Sequence, residues 1–348
     1  MVVRPIDYKK FVCTGPAMQS SFWAALKHGS LWKPYAFEVE WEGQSQRVLV
    51  LVKQVFLLWN LAYIPFGPDL QALGVTQANE FVRQLAKQLR PLLPPFVFVL
   101  RFDLPFDEVN DENVLHLGGA RLRTLTESVQ PEATVRIFLK WGYPAVKLGY
   151  RDRAKRALRK ASQSVEVGVW GGDNASFKRW YDVYLETSRR DGFSPRSAKY
   201  LKALLTLDGK VQGDVSSKLL LAMQNRKIVG GIIVVFSPVE ATYLYGASLR
   251  LDGVTCSHTL QDYAIKMACE RGCTVYDLYG IAGPKGRGSH LAGLEVFKLS
   301  FGGQCCYRTP STDYVYRFLL WKVYTISERI RYRLKRKVKP QEGVQPNS

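Results

Sequence analysis

The sequence lacks a C-x-x-C pair, a secretory leader pattern and any uninterrupted apolar run of bilayer-spanning length. Its six cysteines, Cys13, Cys256, Cys269, Cys273, Cys305 and Cys306, follow no disulfide-framework spacing, and in a chain of 348 residues they read as reduced thiols. His258 with Cys269 and Cys273 does not suggest zinc: the two cysteines stand four apart in a helical pattern, so core thiols and no metal are expected. MVVRPIDYKKFVC offers no h-region. The longest apolar region, VLVLVKQVFLLWNLAYIPF, is cut by Lys53, Gln54 and Asn60 and reads as paired strands. A cytoplasmic protein is therefore expected. Acidic residues are also short, at 30 Asp+Glu against 49 Lys+Arg, which leaves a net charge of +19. That balance implies a polyanionic partner: nucleic acid, a phosphorylated substrate or an anionic membrane face.

What is present is apolar and repetitive. At 47% hydrophobic residues over 348, the chain can bury about two domains' worth of core. FEVEWEGQSQRVLVLVKQVF alternates, turns at Glu42-Gly43-Gln44 and alternates again, as a hairpin does. NLAYIPFG is a further strand, TQANEFVRQLAKQLR places Phe81, Leu85 and Leu89 on one helix face, and FVFVLRFDL closes the unit. The second half repeats the order. SKLLLAMQNRKIVGGIIVVF is strand, turn, strand; ATYLYGASL is a strand; HTLQDYAIKMACERGC is a helix with Leu260, Ala264 and Met267 on one face; TVYDLYGI closes it. A β-β-β-α-β unit thus recurs near 37–104 and 216–281, which points to duplication. Between the units runs a basic helical segment, YPAVKLGYRDRAKRALRKASQ, then NASFKRWYDVYLETSRRDG with Trp180, Val183 and Tyr184 on a face, then a helix opening after Pro195. DYVYRFLLWKVYTISERIRYRLKRKVK is a long helix candidate with a basic end, and residues 339–348 are expected to be a disordered tail.

Six motifs occur in order: QSSFWAALKHGSLWKPYAF, VFVLRFDLPF, GFSPRSAKYL, TYLYGAS, YDLYGI and GLEVFKLSFGG. Across about residues 15–325 the chain resembles the FemABX family of peptidoglycan cross-bridge aminoacyltransferases. The resemblance implies an α/β (α+β) fold of two tandem GNAT-like domains with a cleft between them. Residues 1–133 with 313–338 would form the first domain and 134–312 the second. No long charged heptad stretch lies between Asp173 and Thr206, so the compact form, without the helical arm of some members, is expected. It also implies aminoacyl-tRNA as donor and a nucleotide- or lipid-linked muropeptide precursor as acceptor.

Residue roles follow from the resemblance, four of them beside a plainer reading. Lys27 would meet the precursor diphosphate, as a lysine can; a solvated helix lysine is the plainer reading. Arg196, at a helix start, would be a second phosphate ligand. Tyr200, four residues on, shares its face and would otherwise be a core residue. Asp103, ending an apolar strand, would accept a hydrogen bond from the incoming amine or take its proton; a turn-capping aspartate is the alternative. Tyr243 and Tyr245 alternate with Leu244, which puts both on one side of a strand, lining the peptide site. Phe98 carries no hydroxyl. Phe297 would stack on the terminal adenine, and Lys298 would stabilise the oxyanion of acyl transfer; a lysine snorkelling from a strand is the plainer reading. The donor ester is already activated, so no metal or cofactor is implied. The acetyl-CoA loop is not evident: RLDGVT at 250–255 and GPKGRGSH depart from its pattern. Two other readings remain, an acyl-CoA-dependent N-acyltransferase on the same fold and a non-catalytic RNA- or membrane-binding protein. The basic run from Arg329 to Lys339, with Ile326, Ile330 and Leu334 at helical spacing, suggests peripheral contact with the inner membrane face.

Overall fold

The computed structural model describes residues 1–106, 114–211, 213–250, 255–282 and 292–337, the side chains of 292 and 332–337 excepted. In chain order the first half runs β1 (Val2–Ile6), α1 (Ser21–His28), β2 (Lys33–Trp41), β3 (Gln44–Gln54), β4 (Asn60–Ile64), α2 (Val75–Leu89), β5 (Val97–Phe102) and β6 (Leu122–Thr124). The second runs β7 (Ala133–Phe138), α3 (Gly142–Leu148), α4 (Asp152–Ala161), β8 (Glu166–Val169), α5 (Asn174–Asp191), α6 (Ala198–Thr206), β9 (Ser216–Gln224), β10 (Lys227–Phe236), β11 (Glu240–Ser248), α7 (Cys256–Glu270), β12 (Val275–Asp277), α8 (Ala292–Leu299) and β13 (Gln304–Tyr307). β14 (Thr312–Val315) and α9 (Phe318–Lys337) end the described chain.

Each hairpin is fixed by its turn. Glu42 and Gly43 take φ of 48° and 78°, and Asn225 and Arg226 take 50° and 60°, so both two-residue turns have positive φ at both positions. That backbone matches the right-handed twist of the strands it joins, with Trp41 opposite Gln44 and Gln224 opposite Lys227.

The two sheets are built alike. One has the order β1-β2-β3-β4-β5-β14-β6, and the other, read from its β8 edge, β8-β9-β10-β11-β12-β7-β13. In each, neighbours pair antiparallel except for one central parallel pair, β4 with β5 and β11 with β12. α2 and α7 make those parallel crossovers. Beside the parallel pair of the first sheet stands β14, which follows β13 in the chain yet joins β5; beside that of the second stands β7, the first strand of the second half, which joins β12. The repeated unit seen in the sequence is thus present; the second sheet is built from the contiguous strands β7 to β13, and the first is completed by β14 from the far end of the chain.

Three buried clusters result. Phe81, Leu85 and Leu89 of α2 pack on the first sheet with Val48, Val50 and Leu100. Leu260 and Ala264 of α7 pack on the second with Leu220 and Ile232. The third lies between the halves and joins Phe22, Trp23, Leu49 and Phe98 to Trp180, Leu219 and Ile233. Trp180 reaches the sheet because position 231 is glycine: a Cβ there would stand 2.6 Å from the indole and 2.7 Å from the Leu220 carbonyl oxygen. At the far side, the buried Arg101 of β5 ties α9 down. Its guanidinium bonds Asp313 at 2.7 and 3.0 Å and Glu328 at 3.1 and 3.0 Å.

Candidate functional site

One group of candidates assembles around α1 and α6. Ser20 caps α1 by accepting from the Trp23 amide at 3.1 Å, and Ser197 caps α6 by accepting from the Tyr200 amide at 3.3 Å. The loop before α6 is pinned on α5, where the Tyr184 hydroxyl accepts from the Arg196 amide at 3.3 Å and the Tyr181 hydroxyl donates to the Arg196 carbonyl at 3.1 Å. Lys27 then lies half-buried, its ammonium 4.8 Å from the Trp23 ring and 5.4 Å from the Tyr200 ring. The Arg196 guanidinium is 5.9 Å from the same Tyr200 ring, which meets Tyr245 edge-on at 6.5 Å. Lys27, Arg196, Tyr200 and Tyr245 are therefore brought together. Burial, and then the neighbouring Arg196 charge, lower the Lys27 pKa to about 8. Two cations held side by side on aromatic faces form a ready site for an anion.

Tyr243 is not with them, which corrects the expectation that it shares a face with Tyr245. Opposite β10, Ile233 faces Tyr245 while the next residue, Val234, already faces Tyr243, so Leu244 is a bulge. The extra residue breaks the alternation. Tyr243 turns toward the α7 side of the sheet, and Leu244 and Tyr245 turn toward the seam between the halves.

The Tyr243 ring lies 5.8 Å from the ammonium of Lys298. Lys298 is on α8, a helix and not a strand, and it does not snorkel: it is only 3% exposed. Its Nζ donates to the Tyr279 carbonyl and, at 2.7 Å, to the Gly280 carbonyl. Burial lowers its pKa to about 7, with Asp277 pulling the other way. Tyr279 has φ of 57°, unusual for an aromatic residue, and its amide donates to Asp277 at 2.7 Å. Its hydroxyl donates to the Gln130 side-chain oxygen, the Gln130 nitrogen donates to the Tyr63 hydroxyl at 3.1 Å, and Tyr63 donates to Asp103 at 2.5 Å. Lys298 and Asp103 are thus joined by one chain of contacts across the two halves.

Asp103 follows β5, as the sequence suggested, but it is fully buried. Besides Tyr63 it accepts from Arg308 at 3.0 Å and from the Ser311 hydroxyl. A carboxylate closed off by three protein donors does not meet an incoming amine directly, which corrects that expectation; its contacts make it the anchor of Tyr63 and Arg308. Phe297 is likewise engaged, edge-on to His258 at 4.8 Å and to Phe301 at 5.5 Å, so its ring packs on the second core instead of standing free to stack. Burial lowers the His258 pKa to about 4, which leaves that imidazole neutral. Phe98 is core, packed on Phe56 and Tyr324.

A cavity of about 350 Å³ opens between the halves, lined by a neighbour of each group. Trp23, which carries Lys27, lines it, as do Leu244, Arg136, Glu240, Asp277 and Tyr279, which holds Lys298. Burial, and then Glu240, push the Asp277 carboxyl up to about 6, although Arg136 and the Thr134 hydroxyl oppose them. Sequence reasoning missed Tyr63, Gln130, Arg308 and Tyr279. Only Tyr279 stood in a motif singled out, YDLYGI, and its left-handed backbone leaves no trace in residue type. Among the described residues no cluster has the makings of a metal site, and no helix is long and apolar enough to cross a membrane. Residues 251–254 of RLDGVT, all of GPKGRGSH and the tail from 339 onward lie outside the described residues.

Residues 214–329, from β9 into α9, match the family model described as the FemAB family. No curated protein matches the chain. Among solved structures, the crystal structure of FemX is similar at 17% identity and a TM-score of 0.74, covering 93% of this chain and all (100%) of that one. A tandem GNAT protein from the clavulanic acid biosynthesis pathway is similar at 10% identity and a TM-score of 0.47, covering 90% of this chain and 97% of that one. L-PGS from Bacillus licheniformis is similar at 10% identity and a TM-score of 0.47, covering 81% and 85%. The architecture is that of two tandem GNAT-like domains. The matched segment contains Tyr243, Tyr245, Phe297 and Lys298, whereas Lys27, Asp103, Arg196 and Tyr200 lie outside it.

Proposed function

We propose that the chain is a FemABX-type aminoacyltransferase, one that moves an amino acid from aminoacyl-tRNA to an amine on the stem peptide of a peptidoglycan precursor; the match of residues 214–329 to the FemAB family model and the likeness in fold to FemX support the reading. The observation that carries this reading is the paired cation site of Lys27 and Arg196 around Tyr200. The Lys27 ammonium stands 5.4 Å and the Arg196 guanidinium 5.9 Å from the same Tyr200 ring, and the charge acting on Lys27 is another cation. Such a site favours a polyphosphate over a neutral or cationic ligand, and an acceptor carrying a diphosphate supplies one.

The chemistry asks little more of the protein. The amine nitrogen attacks the ester carbonyl, the C–N bond forms, the ribose C–O bond breaks, and the proton shed by the amine leaves on the ribose hydroxyl. An ammonium has three N–H donors. Two of those of Lys298 are fixed on the Tyr279 and Gly280 carbonyls, and the third is aimed by them. A donor held in this way costs no reorganisation when the tetrahedral oxyanion develops. Tyr279, Gln130, Tyr63, Asp103 and Arg308 act through that geometry and position it. This reading places the protein in the cytoplasm, with its acceptor nucleotide- or lipid-linked, and with peripheral contact of the basic end of α9 at the inner membrane face.

The test supplies the purified protein with a panel of charged tRNAs and, in separate reactions, with both acceptor forms, and follows acceptor mass. A gain of one or more aminoacyl residues from a charged tRNA supports the reading. Transfer from acyl-CoA instead, or binding of RNA without transfer, replaces it with the acyltransferase or the binding-protein reading.

A further inference from the structure

We infer that the protein docks on an anionic lipid surface through two neighbouring apolar features of the first half: the outer stripe of α9 and the Leu57-Leu58 tip between β3 and β4. Helix α9 is apolar on two sides. Leu320, Trp321 and Tyr324 pack inward on the seam. Leu319, Val323, Ile326 and Ile330, spaced four, three and four apart, form a second stripe that faces out, with Leu319 78% exposed and the others more than half exposed. Leu57 is 88% exposed and Leu58 59%.

The two features share one edge of the molecule. The Phe56 ring lies 6.0 Å from Tyr324 of α9, and the tip is closed by the Val55 amide donating to the Trp59 carbonyl at 3.0 Å. β4 begins just after the tip, and its Asn60 amide donates to Phe96 at 2.9 Å, at the start of β5. The turn into α9 is fastened at the same place, where the Tyr316 and Arg317 amides each donate to the Phe98 carbonyl at 3.0 Å.

The charge of this edge selects the occupant. Glu328 is the acidic residue of α9, and it is turned inward on Arg101 and on the Tyr324 hydroxyl. Three cations of α9 are exposed: Lys322, over the Phe318 ring, Arg329, which bonds the Thr126 hydroxyl, and Arg331, at the margin beside the Tyr324 ring. An exposed face of leucine, isoleucine, lysine and arginine fits a lipid surface with anionic headgroups, where apolar side chains insert and cations meet phosphate. A second copy of a +19 chain brings the same sign of charge, and RNA offers nothing to two projecting leucines. The inference rests on and extends the peripheral contact of α9 in the proposed function, while its test, made without tRNA or acceptor, is independent of transferase activity.

The test sediments the full chain, without tRNA or acceptor, with vesicles of equal parts phosphatidylcholine and phosphatidylglycerol, and with vesicles of phosphatidylcholine alone. Wild type is expected to pellet with the anionic vesicles and to be released by salt. L57S with L58S, and separately L319Q with V323Q, are each expected to lower partition at least about tenfold. L148Q, on an equally exposed leucine of α3 (79%), leaves partition unchanged and serves as the control. Circular dichroism confirms that the variants fold. Wild type left in the supernatant overturns the proposal, and so does unchanged partition in both pairs. A lipid-free dimer that either pair converts to monomer, by light scattering, makes the surface a self-interface instead.

Discussion

Lys298 and Tyr279 hold each other in place: the lysine ammonium donates to the Tyr279 carbonyl, and a left-handed backbone, φ 57°, points that carbonyl at it. The strain of such a backbone on a bulky residue is on the order of 1–3 kcal/mol. It is offset by the Tyr279 amide bond to Asp277 and by the hydroxyl bond to Gln130.

The pair makes stability depend on pH in a direction unusual for a lysine. Burial lowers the folded-state pKa of Lys298 from 10.5 to about 7. Below about 7 both folded and unfolded chains hold the proton; between about 7 and 10.5 only the unfolded chain does. Stability should therefore rise with pH across that window, by about 1.4 kcal/mol per unit from this group. Urea melts of wild type and Lys298→Met at pH 7 and pH 9 measure it, and the slope should be smaller in the variant. Equal slopes would mean that Lys298 is solvated and ordinary.

The same variant tests the chemistry. Losing one oxyanion donor typically costs about 100-fold or more in turnover, so Lys298→Met should lower kcat by that order and leave the acceptor KM nearly unchanged. Steady-state kinetics with one charged tRNA separates the two constants. Wild-type turnover in a folded Lys298→Met removes the residue from the reaction.

Lys27→Ala and Arg196→Ala should each raise the acceptor KM, and the loss should shrink on an acceptor without its diphosphate. The two should also be coupled. Arg196 is the neighbouring charge that, after burial, lowers the Lys27 pKa to about 8, so Arg196→Ala should let the Lys27 pKa rise, readable by NMR titration of the lysine ammonium. Equal losses on both acceptors would place these residues away from the phosphates.

How much of this was legible beforehand depended on how local each feature is. The hairpins and amphipathic helices of the repeat are encoded within about twenty residues each, so the order β-β-β-α-β could be read twice. The gathering of Lys27, Arg196 and Tyr200 followed from one family resemblance, and helix caps at Ser20 and Ser197 deliver it. The Leu244 bulge was invisible because ATYLYGASL alternates as any regular strand does; only the partner strand reveals the extra residue. The run that became α8 is short and apolar, and such runs read equally well as strand or helix. The anchor of Asp103 was beyond reach for a different reason: Arg308 and Ser311 lie 205 and 208 residues away and arrive through the link from β13 to β14.

That anchor gives the sharpest distinction between structure and catalysis. Asp103 and Arg308 form an ion pair with both side chains at 0% exposure. Removing one partner of such a pair leaves an uncompensated buried charge, at a cost of about 3–5 kcal/mol. Asp103→Asn keeps the size of the side chain but turns an amide N–H₂ toward the Arg308 donors or toward the Tyr63 hydroxyl. Loss of folding stability should therefore dominate, with the midpoint of urea unfolding shifted well below that of wild type. Because Asp103 holds Tyr63, and Tyr63 is linked through Gln130 to Tyr279, the folded fraction should show a modest fall in kcat without a new pH dependence. A general base would behave differently. Asp103→Asn would then keep wild-type stability, lose about 100-fold or more in kcat, as expected for a proton-transfer group, and flatten the acidic limb of the pH–rate profile. Stability and pH profile measured on the same preparation decide between anchor and base.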